Sequence, residues 1–150
     1  MPPTKAAKNV WSDEERAAML ASAKERKRSA KLTPDEERAA GEADVQAKIA
    51  DMPADDRAMA ARVHALVLQA VPTLAPKTYY GMPAYARDGR VICFFKPKSK
   101  FKVRYSTFEF QADAALDDAD MWPVSFALIK LTPATEKRIT ELVKQAAGRG

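Results

Sequence analysis

Apolar residues recur at helical spacing in the first half of the chain. Val45, Ile49 and Met52 fall at i, i+4 and i+7, which is one face of a helix. Pro53 then marks a break, and a wider apolar stripe follows before Pro72. That stripe predicts a further helix, and its members are Met59, Val63, Leu66, Val67 and Ala70.

Two capping signals predict where helices begin. Ser12 and Glu15 have the spacing of a capping box, in which each side chain accepts from the backbone amide of the other residue. Thr33 is followed by Pro34 and Glu36, which is a second start signal. The helix after Ser12 has only a thin apolar stripe, so it either packs lightly on the domain or is partly independent of it.

After Pro76 the apolar spacing changes to alternation, which predicts strands. Asp88-Gly89 is a strong signal for a two-residue hairpin turn. We predict extended segments at 78–80, 84–87, 91–96, 101–105 and 124–131, a connection with a short helix at 106–122, and a last helix opened by Thr132-Pro133. This order predicts an α+β fold, with helices packed on one face of a mainly antiparallel sheet.

Composition limits the function classes. The chain has 150 residues, of which 47% are hydrophobic, so we expect a tail and helical extension at 1–40 and one domain at 41–147. A single Cys excludes an intramolecular disulfide, and a single His excludes two-His metal motifs. No apolar run reaches the length of a membrane span, and no signal peptide core is present. We therefore expect a cytoplasmic protein with no membrane partner.

Tyrosines and a methionine crowd a kink in the middle of the chain. Gly81 permits a backbone conformation that other residues resist, and Pro83 fixes φ beside it. Tyrosine offers apolar area with a hydroxyl, which suits a pocket wall or a partner surface. The alternative is a strand that enters the core at a bend, which spacing alone favours. The candidate ligand-binding residues are Tyr79, Tyr80, Gly81, Met82, Pro83, Tyr85 and Trp122.

An acidic connection is a candidate metal site. Residues 106–122 contain five acidic residues and no Lys or Arg. Asp113 and Asp117 are spaced i, i+4, so a helix would place two carboxylates side by side, where a hard cation relieves their repulsion. The candidate ligands are Asp113, Asp117, Asp118 and Asp120, whose oxygens suit a hard cation. The alternative, a solvated acidic helix, is favoured by the pattern alone.

A basic hairpin region is a candidate nucleic-acid surface. Its cations are Arg87, Arg90, Lys96, Lys98, Lys100, Lys102 and Arg104. Aromatic residues interleave with them, as in modules that hold single-stranded nucleic acid. The alternation, however, directs Phe101 and Tyr105 away from the cationic face, so bases could not stack on them. Nucleic acid is therefore the least favoured of the three partner classes.

Neither His64 nor Cys93 shows a partner that would form a nucleophile–base pair. His64 lies next to the apolar stripe of its helix, which predicts a packed or half-buried histidine. Cys93 lies inside an apolar strand and is predicted to be a small core residue. We expect no enzymatic activity, because we recognise no catalytic motif in the sequence.

The stretch from Glu42 to Ala146 resembles the YdhG-like family. The resemblance rests on Tyr80-Gly81-Met82-Pro83-Ala84-Tyr85, Asp88-Gly89-Arg90-Val91-Ile92-Cys93-Phe94-Phe95, Lys100-Phe101-Lys102 and Asp120-Met121-Trp122-Pro123. This bacterial domain is of unknown function, and some members are described as frataxin-like intracellular iron chaperones. The resemblance implies a compact α+β domain and weak iron binding through surface carboxylates, and it supplies no catalytic residue.

These observations favour a small non-enzymatic binding module with an aromatic ligand or partner site. The alternative is a frataxin-like iron chaperone, and single-stranded nucleic-acid binding is the third hypothesis. The partner is either a small molecule or another protein, and a homodimer stays an open alternative.

Overall fold

The computed structural model describes residues 12–29 and 32–148. Within these residues the helices are α1 (Asp13–Ser29), α2 (Pro34–Ala50), α3 (Ala54–Ala70), the short α4 (Lys98–Phe101) and α5 (Pro133–Ala147). The strands are β1 (Ala75–Tyr79), β2 (Met82–Arg87), β3 (Arg90–Lys96), β4 (Ser106–Phe110) and β5 (Ser125–Leu128). They form one antiparallel sheet in the order β1-β2-β3-β4-β5. The predicted α+β class is confirmed.

Both predicted capping boxes form, at the starts of α1 and α2. The Ser12 hydroxyl accepts from the Glu15 amide at 3.1 Å, and the Glu15 carboxylate accepts from the Ser12 amide at 3.0 Å. Thr33 and Glu36 make the same reciprocal pair at the start of α2. Each box satisfies amides that the first helical turn leaves without partners. The expected boundary between residues 40 and 41 lies within α2.

Both hairpin turns of the first three strands have two residues with positive φ. Asp88 and Gly89 have φ of 51° and 79°, as their sequence predicts. Tyr80 and Gly81 have φ of 50° and 78° and connect β1 to β2, with Tyr79 opposite Met82. The kink in the tyrosine-rich segment is therefore a hairpin turn between two paired strands.

The predicted strand at 101–105 is wrong. Lys98–Phe101 is a short helix, and Lys102 ends it in the left-handed conformation, with φ of 54°. The carboxylate of Asp56 on α3 accepts from the Ser99 amide at 3.1 Å and so holds this turn. Alternation of charged and apolar residues is therefore overridden here by a contact from a distant helix.

The predicted connection at 106–122 is also wrong in its first part. Ser106–Phe110 is the fourth strand, with Ser106, Phe108 and Phe110 buried on one face. No helix lies between Phe110 and Ser125. The last strand is shorter than predicted and covers Ser125–Leu128 only.

Two layers of side chains cover the sheet. Tyr85, Phe95 and Phe108 are fully buried in the main core, together with apolar residues of α2, α3 and α5. On the opposite face, Met82, Ala84 and Phe94 form a smaller cluster. α1 lies over that smaller cluster and buries Ala18 against it, so its thin apolar stripe packs lightly on the sheet. In the described part of the chain, no helix has the length and apolar character of a membrane span.

Candidate functional site

A cavity of about 300 Å³ lies between α1 and the smaller cluster. We call it the aromatic pocket, and its lining residues are Glu15, Ala18, Met19, Tyr80, Met82, Phe94, Lys96, Phe101 and Glu109. Ala18 and Met19 come from α1, and the other apolar side chains come from the sheet and from α4. The pocket is thus an apolar hollow with a few charged groups, which is the usual form of a small-molecule site.

The β1–β2 hairpin turn positions the rings of this region. Tyr79 and Tyr80 are in edge contact, with centroids 4.5 Å apart, and Tyr79 lies 5.3 Å from Phe94. Lys100 Nζ donates to the carbonyl of Tyr80 at 3.2 Å and fixes the turn against α4. Ring pairs at these distances are favourable beyond their apolar burial, so these contacts stabilise the wall of the pocket.

Two carboxylates and one ammonium group line the rim of the aromatic pocket. The hydrogen bond from the Ser12 amide lowers the pKa of Glu15, and the charge of Lys96 acts in the same direction. Glu109 accepts from the Thr107 hydroxyl at 2.7 Å. Lys96 Nζ lies 5.1 Å from the centroid of Phe101, where it contacts the ring face. Lys100 Nζ lies 5.5 Å from the same centroid, so both carboxylates and ammonium groups surround the aromatic interior.

The structure brings together only part of the predicted ligand-binding set. Tyr80 and Met82 line the aromatic pocket, Gly81 forms their turn, and Tyr79 packs behind them. Pro83 is fully buried. Tyr85 lies in the main core and Trp122 packs against that core, so neither shares a cavity with the other tyrosines. The pleat separates Tyr85 from Met82, because residues an odd number apart in a strand face opposite sides of the sheet.

Residues that sequence reasoning missed complete the aromatic pocket. Phe94 faces the pocket cluster, whereas its neighbours Cys93 and Phe95 face the main core. Strand alternation counted from the Asp88-Gly89 turn would have assigned Phe94 to the face of Tyr85. A register shift between Tyr85 and Ala86 places Phe94 opposite Ala84 instead, and the sequence did not reveal that shift. The contributions of α1, Ala18 and Met19, had no signal either, since only tertiary packing places that helix.

Tyr85 belongs to a buried chain of hydrogen bonds that the sequence did not reveal. Its hydroxyl lies 2.9 Å from His64 Nδ1, and His64 Nε2 lies 3.0 Å from Glu42 Oε1. Burial raises the pKa of Tyr85 well above its ordinary value, so the hydroxyl stays protonated. It therefore donates a hydrogen bond to His64 Nδ1. Nε2–H then donates to Glu42, which satisfies all three groups. His64 is buried, as predicted, and it connects α2, α3 and β2.

These hydrogen bonds predict that the folded protein loses stability at alkaline pH. The folded protein binds the Tyr85 proton more tightly than the unfolded chain does, so this contribution is intact below pH of about 10 and is lost as pH rises further. We expect Tyr85→Phe to destabilise the protein by about 1–2 kcal/mol at neutral pH, because His64 Nδ1 loses its donor. We also expect the variant to lose less stability than the parent above pH of about 10. Urea unfolding across this range measures both effects, and parallel pH profiles would contradict the assignment.

The four acidic residues predicted as metal ligands lie on a segment without a helix. Asp113 pairs with Arg90 at 3.4 Å, and Asp117, Asp118 and Asp120 are exposed along the irregular segment before β5. Across residues 12–29 and 32–148, no group of three or more His, Cys, Asp or Glu residues is placed to hold a metal ion. The i, i+4 argument fails because it requires a helix, and this segment is not helical.

The predicted basic face is divided among separate contacts. Lys98 Nζ pairs with Asp55 and Asp56, each at 2.6 Å, and Lys102 pairs with Glu14 at 2.7 Å. The Arg87 guanidinium donates to the carbonyl of Ala147. Cys93 is fully buried, which raises the pKa of its thiol and suits the predicted core role. The contacts of Lys98 and Lys102 join α4 to α3 and α1, and the contact of Arg87 joins β2 to α5.

Two larger clefts differ in chemistry from the aromatic pocket. One of about 760 Å³ lies between α2, β1 and the Asp88-Gly89 turn and carries both acidic and basic side chains. The other, of about 600 Å³, lies beside Tyr105 and β5 and contains the ion pairs of Lys98 and Arg62. Most of the charged groups in the second cleft already have protein partners.

No family model matches the chain, and neither the curated proteins nor the solved structures gave a significant match. The resemblance to the YdhG-like family stays a prediction from the residues quoted above.

Proposed function

We propose that this chain is a binding protein that holds a small planar aromatic ligand in the aromatic pocket. The observation that carries the proposal is the cavity between α1 and the sheet, lined by Tyr80, Met82 and Phe94. A ligand can enter this apolar hollow because the covering helix fills it only in part.

The size of the aromatic pocket limits the ligand to one or two fused rings. Its volume of about 300 Å³ is at the lower end of the range for small-molecule sites. Burying about 200 Å² of apolar ligand surface contributes about 5 kcal/mol, which corresponds to a dissociation constant on the order of 0.1–1 mM for a fragment. Indole is therefore a suitable probe.

The rim charge predicts a preference among substituted probes. The two carboxylates of the lining, Glu15 and Glu109, can each pair with a ligand ammonium. The Lys96 and Lys100 ammonium groups are already in contact with the Phe101 ring. We propose that the natural ligand carries an amine or is neutral. Tryptamine is accordingly expected to bind more tightly than indole-3-acetate, and the difference is expected to shrink with added salt.

Replacing Tyr80 by asparagine tests the site with little damage to the turn. Asparagine tolerates the left-handed conformation of this position, whereas the ring that lines the pocket is lost. We expect Tyr80→Asn to weaken tryptamine binding about tenfold, as measured by isothermal titration calorimetry.

Asp88→Asn is the matched control for that variant. Asp88 occupies the equivalent position of the other two-residue turn, with φ of 51° against 50° for Tyr80, and it does not line the aromatic pocket. It is expected to leave tryptamine affinity unchanged. Equal affinities of the parent and both variants would show that the ligand does not use this pocket.

A further inference from the structure

The cleft of about 600 Å³ beside α3 and β5 shares no lining residue with the aromatic pocket. We call it the α3–β5 cleft. Each carboxylate of its lining already has a cation in contact. Lys98 Nζ donates to both Asp55 and Asp56 at 2.6 Å, and the guanidinium of Arg62 donates to the two oxygens of Glu136 at 2.8 and 3.0 Å. The carboxylates of this cleft are therefore engaged by side chains of the protein.

Two cations of the same lining, Arg104 and Lys130, have no carboxylate in contact. Both lie just beyond the last residue pair of β4 and β5, since Arg104 is two residues before Ser106 and Lys130 is two residues after its partner Leu128. Within the portion of the chain that the structure describes, no ion pair involves either cation. Both are exposed, so an anion in solution can reach them.

Contact with an aromatic ring prepares the Arg104 guanidinium to bind a carboxylate. Its Cζ atom lies over the ring of Tyr105, 5.0 Å from the centroid. A guanidinium on a ring face still offers its N–H donors at the edge of its plane, and this planar fork matches the two oxygens of a carboxylate. The ring also restricts the side chain, so less freedom is lost when an anion binds.

Apolar side chains line the α3–β5 cleft beside these cations. Met59 and Leu131 are half-buried, and Ile129, which precedes Lys130, is 74% exposed. An alkyl chain laid on this surface would remove apolar area of both molecules from water. We propose that the cleft binds an amphipathic carboxylate, whose head group pairs with Arg104 and Lys130 and whose alkyl chain covers Ile129.

Titration of sodium octanoate into the full chain, labelled with ¹³C at the methionine methyls, tests this site. We expect the Met59 signal to shift with a dissociation constant on the order of 1 mM, as suits a ligand of this size. Met121, which is exposed outside the cleft, is expected to stay in place. Octylamine has the same alkyl chain with the opposite charge, and it is expected to bind at Met59 about tenfold more weakly.

Arg104→Gln is expected to raise the octanoate dissociation constant about tenfold, because the planar fork is lost. Arg138→Gln is the matched control and is expected to leave it unchanged. Arg138 is also exposed and lies over an aromatic ring, 5.7 Å from the centroid of Phe126, but it does not line the cleft. A Met59 signal that octanoate leaves in place would overturn the proposal. Equal effects of the two substitutions, or equal affinities for octanoate and octylamine, would overturn it as well.

Discussion

Gly41→Ala is expected to lower the free energy of unfolding by about 2–3 kcal/mol, because the added methyl group has no room. A Cβ at this position would lie 2.0 Å from the carbonyl oxygen of Pro76 and 3.1 Å from its carbonyl carbon. Both are backbone atoms of β1, so α2 and the strand would have to separate. The measurement is urea unfolding of the two proteins.

Whether Gly41→Ala destabilises or stabilises the protein shows whether packing or helix propensity dominates at this position. In an exposed helix interior, glycine is less favourable than alanine by about 1 kcal/mol. Ala43→Gly, at an exposed position of α2, is therefore expected to destabilise by about that amount. If propensity also governed position 41, alanine there would stabilise the protein. A Gly41→Ala variant as stable as the parent would mean that α2 does not approach β1 as closely as described.

Lys98→Met is expected to lower the free energy of unfolding by about 3 kcal/mol, because it leaves the Asp56 carboxylate buried without its cation. Asp56 is 1% exposed, and its oxygens accept from Lys98 Nζ at 2.6 Å and from the Ser99 amide at 3.1 Å. The Lys98 side chain is 34% exposed, so water reaches the pair and limits the cost to the lower end of the range for broken buried pairs.

A double variant identifies the source of that cost. Asp56→Asn combined with Lys98→Met removes both charges and keeps a polar group near the Ser99 amide. It is expected to recover most of the lost stability, measured again by urea unfolding. If the double variant is as unstable as the sum of the two single variants, Asp56 and Lys98 do not interact in the folded protein.

Local signals in the sequence predicted those parts of the fold that depend on neighbouring residues. The Thr33 and Ser12 capping boxes and the Asp88-Gly89 turn involve residues within three positions of each other, so short-range chemistry decides them. The Tyr80-Gly81 turn was interpreted as a bend, because tyrosine is rarely found in the left-handed conformation. Packing of the Tyr80 ring and the bond from Lys100 stabilise that turn.

Long-range contacts decided what the sequence could not predict. The alternating pattern at 101–105 predicted a strand, but Asp56, which is 43 positions from Ser99, holds the chain in a helical turn there. Of the predicted ligand-binding residues, Tyr80 and Met82 line the same cavity, because both belong to one short hairpin. Tyr85 and Trp122 could not be separated from them until the strand faces were assigned.

Methionine methyl groups report most directly on the claim that the aromatic pocket binds a ligand. Met19 and Met82 line the pocket, Met59 lines the separate cleft near β5, and Met121 is exposed. Titration of tryptamine into protein labelled with ¹³C at the methionine methyls is expected to shift Met19 and Met82 together, with one dissociation constant. The Met59 and Met121 signals are expected to stay in place. Shifts confined to Met59 or Met121, or none at saturating tryptamine, would contradict the account.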